Sequence, residues 1–145
     1  MFEHILLPTD GSRLSEKSVK QGIRMAKVLQ ASVTALHVSP KSRSFTYQID
    51  MLESTSGDYA EGCKTSAKNY LDFVKRVAAG AGVECDVVHV TSDQPYKEII
   101  KAAQKKKCDL ILMASHGRRG IEGFLLGSET QKVLTHSQIP VLVYR

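Results

Sequence analysis

Tryptophan is absent from the 145 residues, and aromatic residues make up only 6% of the chain. None of them interleaves with the lysine run Lys105-Lys106-Lys107, so there is no stacking platform for single-stranded nucleic acid. Cysteine is limited to three, Cys63, Cys85 and Cys108. An odd count without C-x-x-C spacing argues against a disulfide framework or a zinc site. No apolar run approaches the roughly 18 residues of a spanning helix, so membrane insertion is not expected. The opening Met1-Phe2-Glu3-His4-Ile5 has no basic segment leading into an apolar one, so the expectation is no secretory signal and reduced thiols in a cytoplasm. The histidines show no H-x3-H or H-E-x-x-H spacing, which speaks against a metal site. No G-x-S-x-G occurs either. The adjacent pair Ser115-His116 does not supply the oriented base that serine catalysis needs.

What is present is globular in character. The hydrophobic share is 42% and the charged share 24%. Residues 1–145 suit one domain. A net charge of +5 permits an anionic ligand without demanding one. Five short apolar runs stand out: Ile5 to Leu7, Val33 to Val38, Val83 to Val90, Leu110 to Met113 and Val141 to Tyr144. Each of the first four precedes a segment of helical character. Val19, Ile23 and Ala26 share one face of a helix over Ser15 to Leu29, and Ala67, Leu71, Val74 and Ala78 do so over Asp58 to Ala81. Further helices are expected between Pro95 and Lys107 and from Ser128 to Thr135. Gly80-Ala81-Gly82 reads as a helix stop. Strands alternating with helices predict βαβ units and an open parallel sheet of the α/β class with helices on both faces. Ser39 to Gly62 reads either as a loop or short helix over the sheet edge, or as a surface loop.

In such a sheet a ligand sits outside the carboxyl ends of the strands, where the winding direction reverses. With strand order 3-2-1-4-5, strands 1 and 4 flank that point. Strand 1 ends in Pro8-Thr9-Asp10-Gly11-Ser12 and strand 4 in Met113-Ala114-Ser115-His116-Gly117. The stretch Gly117 to Gly127 then carries four of the ten glycines and leads into a helix at Ser128. Glycine lets backbone N–H groups approach an anion, and a helix N-terminus favours negative charge. The spacing is neither that of a P-loop nor that of the G-x-G-x-x-G dinucleotide turn.

This constellation resembles the universal stress protein family. An ATP-binding branch of that family carries G-x2-G-x9-G-[ST] after strand 4, and the matching stretch here runs from Ala114 through Gly117 to Gly127-Ser128. Ile5 to Ser12, Leu36-His37-Val38 and Ile139 to Val143 extend the likeness to the whole chain. The resemblance implies an adenine-nucleotide alpha-hydrolase-like fold and an ATP site, with Mg²⁺ as an optional companion. It implies that Asp10 accepts from adenine or ribose beside Pro8 and Thr9, that Val38 meets the adenine, and that Met113 and Ala114 line the ribose side. Gly117, Gly127 and Ser128 would meet phosphates through N–H groups, Thr130 would reach the same group, and Arg118 would add charge. It also implies a cytoplasmic homodimer through the C-terminal strand, a stress-response role, and at most slow ATP hydrolysis.

Two departures from the pattern bear on affinity. Ala114 stands where glycine is expected, which costs about 1 kcal/mol if the position needs φ > 0 and little otherwise. Glu129 puts a carboxylate in the first helical turn, which suits the dipole but repels a γ-phosphate if it points inward. Other residues have plainer readings. Ser128-Glu129-Thr130-Gln131 is also a capping box. Asp10-Gly11 is also an ordinary turn. His116 either donates to an anion or is a surface histidine. The three lysines pair favourably with a helix C-terminus. Cys108 is a packing residue.

The competing functions are an ATP-binding regulator, a dimeric interaction module of the same fold without nucleotide, and a receiver or flavodoxin. A receiver needs an acidic pair after strand 1 and a lysine after strand 5, and neither is found. A flavodoxin needs aromatic cover for its flavin, which the site loops lack.

Overall fold

The computed structural model describes residues 1–41, 56–118 and 125–145. Five strands, β1 (His4–Pro8), β2 (Ser32–Ser39), β3 (Cys85–Thr91), β4 (Leu110–Ala114) and β5 (Val141–Tyr144), form one parallel sheet in the order β3-β2-β1-β4-β5. Helices α1 (Arg13–Leu29), α2 (Ser56–Ala81), α3 (Pro95–Lys105) and α4 (Ser128–His136) alternate with them. Most of the irregular stretch expected between Ser39 and Gly62 lies outside the described residues, but its last part, from Ser56, is already helix.

Alternation along each strand divides the core into two layers. Ile5, Leu7, Val33, Ala35, Leu110 and Leu112 face α1 and α2, where Val19, Ile23, Leu71 and Val74 pack on them. Leu6, Leu36, Ile111 and Met113 face α3 and α4, against Ile99, Ala103 and Val133. β1 and β4 are apolar on both faces because both are covered. Each fully buried aliphatic side chain contributes about 1.5–3 kcal/mol, so this two-sided burial holds the strand ends in place.

Three helices end in the same way. Ala31 N–H reaches Ala26 O while Gln30 N–H reaches Lys27 O; Val83 and Gly82 do this to Ala78 and Ala79, and Cys108 and Lys107 to Ala103 and Gln104. These are Schellman motifs with a left-handed residue at the turn: Gln30, Gly82 and Lys107 all have positive φ. The motif also moves a boundary. The third strand begins at Cys85 rather than Val83, because the Val83 N–H is spent on closing α2.

Candidate functional site

β1 and β4 are neighbours, so the turns leaving their carboxyl ends meet. The first turn is held from within. Ser12 N–H donates to Asp10 Oδ1 at 2.9 Å, Gly11 N–H to Thr9 Oγ1 at 3.2 Å, and the Ser15 hydroxyl to the buried Thr9 Oγ1 at 2.9 Å. Ser12 also caps α1 by accepting from Ser15 N–H. Below the turn, buried His37 donates Nδ1–H to Thr9 O at 2.8 Å. A carbonyl can only accept, which fixes the proton on Nδ1. Burial pushes the His37 pKa below its ordinary value.

The second turn is joined to the first by Asp10. Its Oδ2 accepts the Arg118 N–H at 2.9 Å, and Arg118 Nε donates to Asp10 O at 3.0 Å. Gly117 makes this approach possible: a Cβ there would stand 2.2 Å from Asp10 Oδ2. At the far end of the glycine stretch, Gly127 N–H donates to Ser115 O at 2.7 Å, and a Cβ on Gly127 would crowd the His116 Cα at 3.1 Å. Residues 119–124, between these anchors, lie outside the described residues.

The two turns frame one cavity of about 570 Å³. This lies within the range of roughly 300–1,000 Å³ usual for small-molecule sites. Pro8, Thr9 and Asp10 line it from β1, Val38 from β2, Met113 and Ala114 from β4, His116, Gly117 and Arg118 from the following turn, and Gly127, Ser128, Glu129 and Thr130 from the start of α4. All the residues singled out from the sequence therefore share one space. Ser15, Leu36, Pro40, Ser92, Asp93, Pro95 and Ile99 also line it and were not singled out. The signal for the Ser92 to Pro95 group was available: it leaves the carboxyl end of β3, next to β2, with proline at the first turn of α3.

Several local expectations change on contact with the geometry. The N-cap of α4 is Gly127, with no side-chain cap, so Ser128 is the first helical residue and not the head of a capping box. The first intrahelical bond is Gln131 N–H to Gly127 O, which leaves the N–H groups of Ser128, Glu129 and Thr130 without an intrahelical acceptor. The Gly127 amide, expected to meet a phosphate, is instead committed to Ser115 O. The Thr130 hydroxyl donates to Ala114 O at 3.0 Å and is buried, so its proton closes α4 onto β4. The Arg118 guanidinium turns towards α2, donating to Tyr70 Oη at 2.7 Å with the Tyr70 ring centroid 5.2 Å away. Ala114 is a strand residue whose φ is not positive, so its methyl group carries no backbone strain. Glu129 Oε2 accepts the Tyr96 N–H at 2.9 Å, capping α3, whose own N-cap Gln94 makes no side-chain capping bond.

The doubly wound sheet, with a cavity at its switch point rimmed by a glycine-containing turn and a helix N-terminus, belongs to the class of open parallel α/β folds. Within that class the chain belongs to the universal stress protein family, whose model matches residues 1–145. It is 33% identical to universal stress protein MJ0531 of Methanocaldococcus jannaschii, over all of this chain and 83% of that one. The solved structure of MJ0577, of the same organism, superposes with a TM-score of 0.81 at 30% identity, covering 99% of this chain and 95% of the other. A universal stress protein from Archaeoglobus fulgidus, solved in complex with dAMP, shares the fold with a TM-score of 0.68 at 16% identity, covering 100% and 98%. Among the described residues no helix is long and apolar enough to cross a membrane.

Proposed function

We propose that this chain is a single-domain, cytoplasmic stress-response protein that binds an adenine nucleotide, ATP among them, in the cavity between the β1 and β4 turns. The observation that carries the reading is the pairing of two unlike walls. Leu36, Val38, Ile99 and Met113 offer an apolar slot suited to a base, and the α4 N-terminus offers N–H groups and a positive dipole suited to phosphate. Asp10 lines the same cavity, and its carboxylate is an acceptor for a ribose hydroxyl or an adenine amino group. The dAMP complex of the Archaeoglobus relative supports the choice of adenine. Mg²⁺, where it accompanies ATP, is carried chiefly by the phosphates. Ser115 Oγ and His116 Nδ1 lie 3.2 Å apart, but Ser115 is buried and does not line the cavity, which supports a reading of binding with at most slow hydrolysis. Two copies joined through β5 complete the reading, since β5 is an edge strand.

Calorimetric titration with Mg-ATP tests this, with micromolar-range affinity expected. Asp10→Ala is expected to weaken ATP more than free triphosphate; equal loss for both would contradict the base or ribose contact. A second reading, a dimeric interaction module without nucleotide, is favoured by one feature: the Gly127 amide and the Arg118 guanidinium are already bonded inside the protein. Absence of binding heat, with no nucleotide released on denaturation, would select it.

A further inference from the structure

Among the described residues, the side-chain charge around the cavity is unbalanced. Three carboxylates, Asp10, Asp93 and Glu129, line it against one arginine, Arg118, among the described residues. That arginine is directed at Asp10 O and Tyr70. Asp10 has the Arg118 and Ser12 amides on its carboxylate, and Asp93 accepts the Lys41 N–H at 2.9 Å. Glu129 differs in position. It is the second residue of α4, so its carboxylate belongs to the turn whose N–H groups would receive phosphate. Its partners are the Tyr96 amide at 2.9 Å and the Lys132 ammonium at 3.4 Å. The Lys132 side chain is 49% exposed, so water screens much of that pairing.

We propose that Glu129 is a specificity-determining residue that reads phosphate charge, so that the cavity takes an adenosine monophosphate in preference to metal-free di- and triphosphates. The inference rests on the nucleotide-site reading above. The α4 N-terminus attracts each added phosphate, and the Glu129 carboxylate, on the same cavity wall, opposes it. Repulsion between like charges a few ångströms apart in a partly solvated site corresponds to about a 3- to 10-fold loss of affinity.

The test is calorimetric titration of AMP, ADP and ATP in EDTA, with the parent chain, Glu129→Gln and Glu129→Ala. Glutamine keeps an acceptor for the Tyr96 N–H and removes the charge; alanine removes both, so it separates the α3 cap from the charge. Both variants are expected to tighten ATP about 3- to 10-fold more than AMP, with ADP between, and added Mg²⁺ is expected to shrink the difference. Thermal melts of the variants confirm that they are folded. Binding that changes equally for all three nucleotides, or not at all, overturns the proposal and leaves the nucleotide site standing. No uptake of any nucleotide by any of the three proteins overturns the site reading itself, and the Glu129 proposal with it.

Discussion

Asp10 and Arg118 hold each other twice: the carboxylate Oδ2 takes the Arg118 amide at 2.9 Å, and the guanidinium Nε returns to the Asp10 carbonyl at 3.0 Å. The two loops that frame the cavity are thus tied to each other before any ligand enters. Tyr70 extends the tie to α2, through the 2.7 Å bond from Arg118. Preorganisation of this kind lowers the ordering cost of binding.

Glycines in this fold have opposite consequences when replaced. Gly11 has φ +75°, and a Cβ would stand 2.2 Å from the Tyr70 ring; Gly80, in α2, has nothing within 4 Å. Gly11→Ala is expected to lose about 1–3 kcal/mol and Gly80→Ala to gain about 0.5–1 kcal/mol. Urea unfolding of both variants checks the signs; two shifts in the same direction would contradict the geometry.

Ser18 lies in α1 at 1% exposure, and its hydroxyl has no hydrogen-bond partner among the described residues. Ser18→Ala is therefore expected to stabilise the protein by about 1 kcal/mol, since it removes a desolvated hydroxyl and improves helix propensity. That gain would raise the melting temperature by about 2–4 °C. A lower melting temperature would show that the hydroxyl has a partner.

His37 makes stability depend on pH. Burial, the largest influence, holds its pKa below the ordinary 6.5; His89 and Arg118 act in the same direction, while Asp10 and the Thr9 bond oppose. The unfolded chain therefore takes up this proton at a higher pH than the folded one. The stability contributed is complete above about pH 6.5 and is lost as pH falls through the folded-state value. His37→Asn, which keeps a donor for Thr9 O, is expected to flatten the melting-temperature profile between about pH 7 and 5. An unchanged profile would assign the acid sensitivity to other groups.

Cys108 is buried, with a thiol pushed up to about 11, chiefly by desolvation. At pH 8 only about 0.1% would be thiolate. Native protein treated with iodoacetamide is expected to carry no label on Cys108, and unfolded protein to carry it; native labelling at the unfolded rate would contradict the burial.

The proposed dimer has its own check. Leu142 is 38% exposed on β5, and a lysine there would place charge on an edge available for strand pairing. Light scattering is expected to report a dimer for the parent chain and a monomer for Leu142→Lys. A variant that stays dimeric would place the contact elsewhere.

Much of this molecule was legible in its residue order. Apolar runs such as Leu110 to Met113, and the helical spacing of Val19, Ile23 and Ala26, specify the elements because burial must follow each element's own period. The parallel architecture follows from their alternation, and the rule that ligands sit at carboxyl strand ends led to residues that share one cavity. Which way the polar groups turn within that cavity was not legible. Arg118 meets Tyr70, 48 positions away, and Glu129 meets the amide of Tyr96, 33 positions away. The Gly127 amide and Thr130 hydroxyl are spent on Ser115 and Ala114. Periodicity and turn chemistry act over a few residues and so can be read along the chain. A hydrogen-bond partner is chosen by whatever acceptor the packed sheet brings within about 3 Å, and that choice exists only once distant segments have met.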